Sequence, residues 1–218
     1  MRACPDAEPG QALFGTLNAC PKCNEITLYR QSGIFPNERK ISLDYIDTDE
    51  RPGTATMIKA ARDFMRTGKG WLSICGPFGN AKSTTLKAIV IEYLKCGVSA
   101  KYITLTELMD YVYEAYDNEK SGERDLGRIR RLMAYQILCI DELDKYEMDR
   151  ENARRVQNYF FDTRYRMAET TGTVFAWNGT LKTLTLPAVA DRMTEFMIVE
   201  NRDPSYRAIL GKLAMEEV

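Results

Sequence analysis

The sequence predicts an α/β fold in which a parallel sheet of about five strands lies between helices. Three observations support this prediction. Strand-like and helix-like segments alternate along most of the chain, and the strand-like segments are short and almost entirely apolar, as in strands buried on both faces. A glycine-containing loop, Gly76–Thr84, also separates an apolar strand from an amphipathic helix. The 218 residues, 44% of them hydrophobic, suffice for one such domain.

The elements follow from apolar periodicity and from terminating residues such as Gly68 and Gly97. The predicted strands are Trp71–Cys75, Lys101–Thr104, Gln136–Ile140, Thr173–Asn178 and Phe196–Asn201. The predicted helices span 54–68, 84–95, 106–116, 123–134, 149–167 and 186–193, and Asp203 with Pro204 signals the start of a last one. These elements assign residues 41–218 to one domain.

Residues 1–40 are rich in proline, glycine and asparagine, and we expect an irregular N-terminal extension there. Within it, Cys20 and Cys23 form a CPKC knuckle that, together with Cys4, suggests a zinc site. Zinc in such sites takes four ligands, and the sequence leaves the fourth open. The candidates are Asp6, Glu8, Glu25 or a residue of another chain.

Composition excludes several classes of function. The chain has no histidine, so catalytic sites that require an imidazole and zinc sites that contain histidine are both excluded. A net charge of −1 gives no overall basic field, so any nucleic-acid contact must come from a local patch. The apolar stretches are too short to cross a bilayer, and we expect a cytoplasmic protein without membrane contact.

The loop after the first strand predicts a phosphate-binding site. In such loops, backbone N–H groups surround the phosphates, a lysine neutralises the outer ones, and a hydroxyl at the helix start binds magnesium. Gly76, Gly79, Lys82 and Ser83 have the required spacing, although a plain glycine-rich turn would have the same composition. Ala81 stands where a glycine is usual, and its methyl group disfavours positive φ.

Polar residues at the ends of two later strands complete the pattern. Asp141 follows an apolar strand and can hold magnesium through water, while the adjacent Glu142 can polarise an attacking water molecule. Asn178 ends another predicted strand. An acidic pair alone would also fit a solvated turn, but the three features together favour a nucleotide-hydrolysing site.

With these residues, the chain resembles the AAA+ ATPases of the DnaC/IstB type, which include replicative-helicase loaders and transposition helper ATPases. The resemblance covers roughly residues 41–210. The motifs that carry it are GPFGNAKS (Gly76–Ser83), ILCIDEL (Ile137–Leu143), TVFAWN (Thr173–Asn178) and LPAVADRM (Leu186–Met193). It implies a P-loop NTPase fold with a central five-stranded parallel sheet and, from the little sequence after the fifth strand, an absent or reduced lid.

The resemblance also implies roles for individual residues. Lys82 would contact the outer phosphates of ATP, and Ser83 and Asp141 would serve Mg²⁺. Glu142 would activate water, and Asn178 would be the first sensor of the terminal phosphate.

Further contacts are implied around the nucleotide and between subunits. Arg192 matches an arginine finger that reaches the nucleotide of a neighbouring subunit, which requires a homo-oligomer. Tyr45 and Ile46 would lie near the adenine, with core packing as the alternative. The whole loop would contact the nucleotide, namely Gly76, Pro77, Phe78, Gly79, Asn80, Ala81, Lys82, Ser83 and Thr84.

The function implied is ATP-dependent loading of a replicative helicase. One alternative is a transposition helper that binds duplex DNA and recruits a transposase; another is a nucleotide-dependent binding module without turnover. Single-stranded DNA is the favoured nucleic-acid partner of the loader. Arg124, Arg128 and Arg131 fall near one helical face and could touch its phosphates, although a solvated helix face is the alternative.

Overall fold

A five-stranded parallel sheet forms the centre of the molecule, in the order β2-β3-β4-β1-β5. The computed structural model describes residues 21–117, 127–145 and 157–206. The strands are β1 Gly70–Gly76, β2 Ala100–Thr104, β3 Ile137–Asp141, β4 Gly172–Asn178 and β5 Met197–Glu200. All five predicted strands and their parallel arrangement are confirmed, with ends that differ by at most one residue.

Helices cover both faces of the sheet. They are α1 Pro21–Gln31, α2 Pro52–Thr67, α3 Lys82–Lys95, α4 Leu105–Asp117, α5 Gly127–Met133, α6 Asp162–Arg166 and α7 Pro187–Met193, with a π-helical turn at Gln157–Phe161 before α6. The predicted helices at 123–134 and 149–167 lie partly outside the described residues. None of the described helices has the length and apolar character needed to span a bilayer.

Alternate residues of the strands face two separate cores. Leu72 and Ile74 of β1 point to one side, where they pack in a buried cluster with side chains of α2 and α3. Trp71 and Cys75 point to the other side, into a cluster with α4, α5 and α7. Because both faces are buried, the strands are apolar at nearly every position, as the sequence indicates.

The N-terminal part of the chain differs from the irregular extension expected there. Residues Pro21–Gln31 form α1, and Tyr29 and Ile34 are buried in the core cluster that contains α2 and α3. The amide of Tyr102 on β2 donates a hydrogen bond to the carbonyl of Ser32, 2.7 Å away. The segment therefore provides a hydrogen-bond acceptor for a backbone amide of β2, the strand at one edge of the sheet. Composition alone does not reveal this long-range contact. The boundary at residue 40 stays a prediction.

The zinc site also stays a prediction. Cys4 and Cys20 lie outside the described residues, and Cys23 falls in α1 at a position whose side chain is not described. In the part of the chain that the structure describes, no three His, Cys, Asp or Glu side chains form a metal-binding group.

The charged side chain of Arg164, on α6, is completely buried. Its guanidinium donates to the carbonyl of Met133, at the end of α5, and to that of Tyr135, in the turn after it. The distances are 2.9 and 2.7 Å, respectively. It also donates to the Gly172 carbonyl at 2.5 Å and the Thr173 hydroxyl at 3.0 Å, at the start of β4. Burial lowers the pKa of Arg164 to about 10. The residue therefore joins α5, α6 and β4 through four acceptors.

Candidate functional site

The loop between β1 and α3 has the backbone conformation that phosphate cradles require. Gly76 has φ +141°, and a Cβ built there would lie 1.9 Å from the carbonyl oxygen of Asn201. Gly79 has φ +74°. Both positions therefore need glycine, one for a close backbone approach and one for a left-handed turn. The loop leads directly into the N-terminus of α3, which favours anions.

Ala81 adopts the left-handed conformation despite its methyl group. It is the N-cap residue of α3, with φ +66° and ψ +14°. An L-residue with a side chain pays about 1–2 kcal/mol for this region relative to ordinary helical backbone. Alanine in place of the usual glycine therefore keeps the loop geometry and stores local strain in the loop.

Lys82 closes the loop on itself. Its ammonium donates to the carbonyls of Gly76 and Pro77 at 2.9 and 2.6 Å and to Asn80 Oδ1 at 3.0 Å. Burial lowers the pKa of Lys82, and the nearby carboxylates of Asp141 and Asp144 oppose this effect. The loop carbonyls thus hold the ammonium beside the place where the predicted phosphates would bind.

The carboxyl ends of three adjacent strands bring the predicted residues together. Asp141 ends β3, Asn178 ends β4, and Gly76, which ends β1, is in register with Asn178. A cavity of about 450 Å³ opens at this edge. The predicted residues that line it are Tyr45, Ile46, Phe78, Gly79, Asn80, Ala81, Lys82, Ser83, Thr84, Asp141, Glu142 and Asn178. This is the usual place for a ligand in an open α/β sheet.

Three of the residues predicted for the nucleotide site do not line the cavity. Gly76 and Pro77 begin the loop, and their carbonyls accept hydrogen bonds from Lys82. Arg192 of α7 instead forms an ion pair with Asp162, and its guanidinium lies 5.0 Å from the centre of the Tyr165 ring. Within its own chain, Arg192 therefore stabilises the contact between α6 and α7.

The two acidic residues have fixed partners. Asp141 is buried, and one of its oxygens accepts a hydrogen bond from Tyr102 Oη at 2.8 Å. The other oxygen accepts the Glu142 amide at 2.8 Å. Glu142 itself has φ +59° and forms an ion pair with Lys145, which also lines the cavity. Strained backbone of this kind is typical of functional sites.

Sequence analysis missed Asp144, which positions Asn178. The carboxylate of Asp144 accepts hydrogen bonds from the Asn178 backbone amide and from its side-chain amide, both at 3.0 Å. The pair fixes the orientation of Asn178 at the cavity wall. The only signal in the sequence was a third acidic residue soon after the predicted pair.

A buried polar network after β5 was missed as well. Asn201 is fully buried; its carbonyl accepts from Asn80 Nδ2 at 2.8 Å, and its side chain donates to the Asn80 carbonyl at 3.2 Å. Asp203 accepts the amides of Gly53 and Thr54 at 3.1 and 2.6 Å, so it caps α2. The last helix that the sequence predicts after Asp203 and Pro204 falls largely outside the described residues. The segment after β5 therefore connects the phosphate loop to the start of α2 through hydrogen bonds of Asn201 and Asp203.

The pKa of Asp203 reflects these contacts. Burial acts to raise it, but the hydrogen bonds from Thr54 and Gly53 and the charge of Arg51 outweigh burial and lower the pKa below its ordinary value. A lowered carboxyl pKa contributes stability that is present above the unfolded pKa, about 3.9, and is lost as the pH falls through the folded value.

Aromatic side chains also line the cavity. Tyr45 and Phe78 are exposed by 81% and 63%, respectively, and both line it. Tyr206 also lines the cavity, with the Arg51 guanidinium 3.6 Å from its ring centre and its hydroxyl donating to the carbonyl of Asp47. Flat, exposed rings next to a phosphate loop are suited to contact a nucleobase.

The donor set at this edge fits a magnesium nucleotide. Ser83 presents an exposed hydroxyl in the first turn of α3, and Asp141 presents a carboxylate. Mg²⁺ prefers oxygen ligands and is usually held by one or two protein groups together with phosphate and water. The cavity that these groups line also contains the loop at the start of α3, where anions are favoured.

Comparison with known proteins identifies the fold. No family model matches the chain. The uncharacterized protein YdaV of Escherichia coli (strain K12) is 26% identical over 170 residues, which cover 77% of this chain and 67% of YdaV.

Solved structures of replication proteins share the architecture. A DNA replication initiation factor aligns over 84% of this chain and 56% of its own, with 17% identity and a TM-score of 0.67. The DnaC helicase loader aligns over 77% of this chain and all of its own, with 14% identity and a TM-score of 0.63.

The replication initiator DnaA, solved with AMPPCP and single-stranded DNA, aligns over 78% of this chain with 16% identity and a TM-score of 0.63. The chain spans 51% of the length of that DnaA, and thus about half of it and of the initiation factor. These likenesses confirm the expected fold: the chain has the architecture of the DnaC helicase loader and of the aligned part of DnaA.

Proposed function

We propose that this protein is a magnesium-dependent AAA+ ATPase that assembles into oligomers and acts in DNA replication as a helicase loader. One observation carries the proposal: the loop with Lys82 and Ser83, the acidic pair, and Asn178 all line a single cavity at the carboxyl edge of the sheet. The replication partners of the proposal rest on the likeness to the DnaC helicase loader.

Each side chain has a task in phosphate hydrolysis. The loop amides and the Lys82 ammonium hold the outer phosphates, and the positive charge stabilises the charge that develops on the transferred group. Ser83 and Asp141 would hold Mg²⁺, which would supply positive charge to neutralise the phosphate oxygens. Glu142 accepts a hydrogen bond from the attacking water, and Asn178, held by Asp144, positions that water or the terminal phosphate.

Arg192 supports an oligomeric assembly. It lies on α7 outside the cavity of its own chain, and a guanidinium stabilises a transferring phosphoryl group only by direct approach. We therefore assign it to the nucleotide of a neighbouring subunit. Its ion pair with Asp162 is partly exposed, which makes the pair weak enough to exchange for a phosphate.

Replacing Lys82 with alanine tests the nucleotide site. The substitution removes the charge that faces the phosphates, and we expect ATP affinity to fall about 10- to 100-fold, since a charged hydrogen bond contributes about 1.5–3 kcal/mol. Binding of a fluorescent ATP analogue measures the effect. Lys95→Ala is the control, because Lys95 ends the same helix, is exposed and pairs with Glu92. Equal affinity in Lys82→Ala and the parent would refute the site.

A second, basic cavity supports contact with single-stranded DNA. Arg128 and Arg131 of α5, which the sequence singled out, line a cavity of about 650 Å³ together with Arg30, Lys101 and Tyr111. Arg124 lies outside the described residues. The Arg128 guanidinium lies 6.0 Å from the centre of the Tyr111 ring, and burial lowers the pKa of Lys101. Cations beside a partly buried ring suit a strand whose phosphates and bases both need partners.

Arg131→Gln tests this contact. We expect single-stranded DNA to bind about fivefold more weakly and the slope of log affinity against log salt to fall by about 0.7, because one phosphate contact is lost. Fluorescence anisotropy of a labelled oligonucleotide at several salt concentrations measures both. Arg130→Gln is the matched control, since Arg130 is its exposed neighbour on α5 and does not line the cavity. The same loss in both variants would instead indicate a general charge effect.

A further inference from the structure

Tyr102 makes a direct contact with the proposed magnesium-binding carboxylate. It lies in the middle of β2, and its hydroxyl donates to Asp141 Oδ2 at 2.8 Å. The other oxygen of Asp141 accepts the amide of Glu142 at 2.8 Å. Both oxygens therefore have a fixed donor, and the plane of the carboxylate is set before any ligand binds. No motif in the sequence singled out Tyr102.

The N-terminal segment Ser32–Glu38 holds Tyr102 in place. The Tyr102 amide donates to the carbonyl of Ser32 at 2.7 Å. Gly33, with φ +76°, packs so closely on this strand that an added Cβ would lie 2.1 Å from the Tyr102 carbonyl oxygen. These backbone contacts fix the strand position from which the phenol ring projects.

Glu38, in the same segment, acts on the ring through a lysine. Glu38 forms an ion pair with Lys87 of α3, and both side chains are about one-fifth exposed. The Lys87 ammonium lies 4.9 Å from the centre of the Tyr102 ring, over its face. The chain of contacts thus runs from Glu38 through Lys87 and Tyr102 to Asp141.

We propose that Tyr102 is a positioning residue for the magnesium-binding carboxylate, and that segment Ser32–Glu38 sets its position and thereby the metal affinity of the site. The inference deepens the proposed function and rests on it. A hydroxyl that donates to one oxygen of a metal-binding carboxylate restricts its rotation and leaves the outward lone pairs for the metal. Whatever displaces the segment from β2 would loosen the carboxylate and weaken Mg²⁺ binding.

Tyr102→Phe removes only the hydroxyl. We expect the Mg²⁺ concentration for half-maximal binding of a fluorescent ATP analogue to rise about tenfold, as is usual when a partner of a metal ligand is lost. Binding in EDTA should not change, because the loop and Lys82 are untouched. Tyr135→Phe is the control: Tyr135 donates to the carbonyl of Gln31, next to the same segment, but does not contact Asp141.

A second variant tests the role of the segment. Glu38→Gln removes the negative charge that pairs with Lys87. We expect the Mg²⁺ concentration for half-maximal binding to rise again, but by less than in Tyr102→Phe, about threefold. The thermal midpoint without nucleotide checks that each variant is folded. The positioning role would be overturned if Tyr102→Phe needed no more Mg²⁺ than the parent for half-maximal binding, or if it lost equal affinity for the analogue with Mg²⁺ and with EDTA. Control by the segment would be overturned if Glu38→Gln had the same Mg²⁺ dependence as the parent. Parent protein that binds no nucleotide refutes the proposed function, and this inference with it.

Discussion

Replacing Glu142 with glutamine should lower the rate of ATP hydrolysis about 100- to 1,000-fold and leave ATP binding nearly unchanged. Glutamine keeps the size of the side chain but cannot take a proton from water, and general-base catalysis contributes about 10²–10⁴-fold. Phosphate release and binding of a fluorescent ATP analogue, measured on the same samples, separate the two effects.

Glu92→Gln is a matched control for this change. Glu92 and Lys95 form an ion pair three residues apart on α3, just as Glu142 and Lys145 do in the site. Both substitutions break one such pair, but only one of them lies at the cavity. Hydrolysis by Glu142→Gln at the rate of the parent would show that another group activates water. Absence of hydrolysis in the parent, with and without single-stranded DNA, would favour the alternative of a binding module without turnover.

Replacing Arg164 with methionine should destabilise the fold by about 3–5 kcal/mol. Methionine fills much of the same space but leaves four acceptors without their donor, three of them buried, at the end of α5, in the turn after it and at the start of β4. Each unsatisfied buried group costs about 1–3 kcal/mol, and the relief of burying a charge offsets part of the sum. Urea unfolding measures the change.

Arg166→Met separates this effect from a general loss of charge on α6. Arg166 lies two residues further along the same helix and is exposed. We expect it to change the free energy of unfolding by less than about 0.5 kcal/mol. Similar losses in the two variants would mean that the hydrogen bonds of Arg164 contribute little.

Local patterns made the fold and much of the cavity predictable. The alternation of apolar strands and amphipathic helices depends on residues close together in the chain, so it can be read without coordinates. The same holds for the loop that contains Lys82 and for the acidic pair at Asp141, since each motif is a run of consecutive residues. The carboxyl ends of parallel strands meet at one edge, which explains why these motifs share a cavity.

Arg164 shows what such patterns cannot predict. In sequence it is one of several arginines on a polar helix, and a helical arginine is usually exposed. Only the approach of α5 and β4 gives its guanidinium four acceptors. Tyr102 and Asp203 are similar cases, because their partners lie 39 and about 150 residues away in the chain, respectively.

The sequence by itself thus determined the order of the elements, the buried character of the sheet and the motifs of the phosphate loop. The tertiary structure decided which polar side chains orient those motifs: Tyr102 on Asp141, Asp144 on Asn178, and the segment after β5 on the loop. It also decided that residues 29–34 pack on the core. The physical reason is that hydrogen bonds between distant residues leave no periodic trace in the chain, whereas burial of a strand or a helix face does.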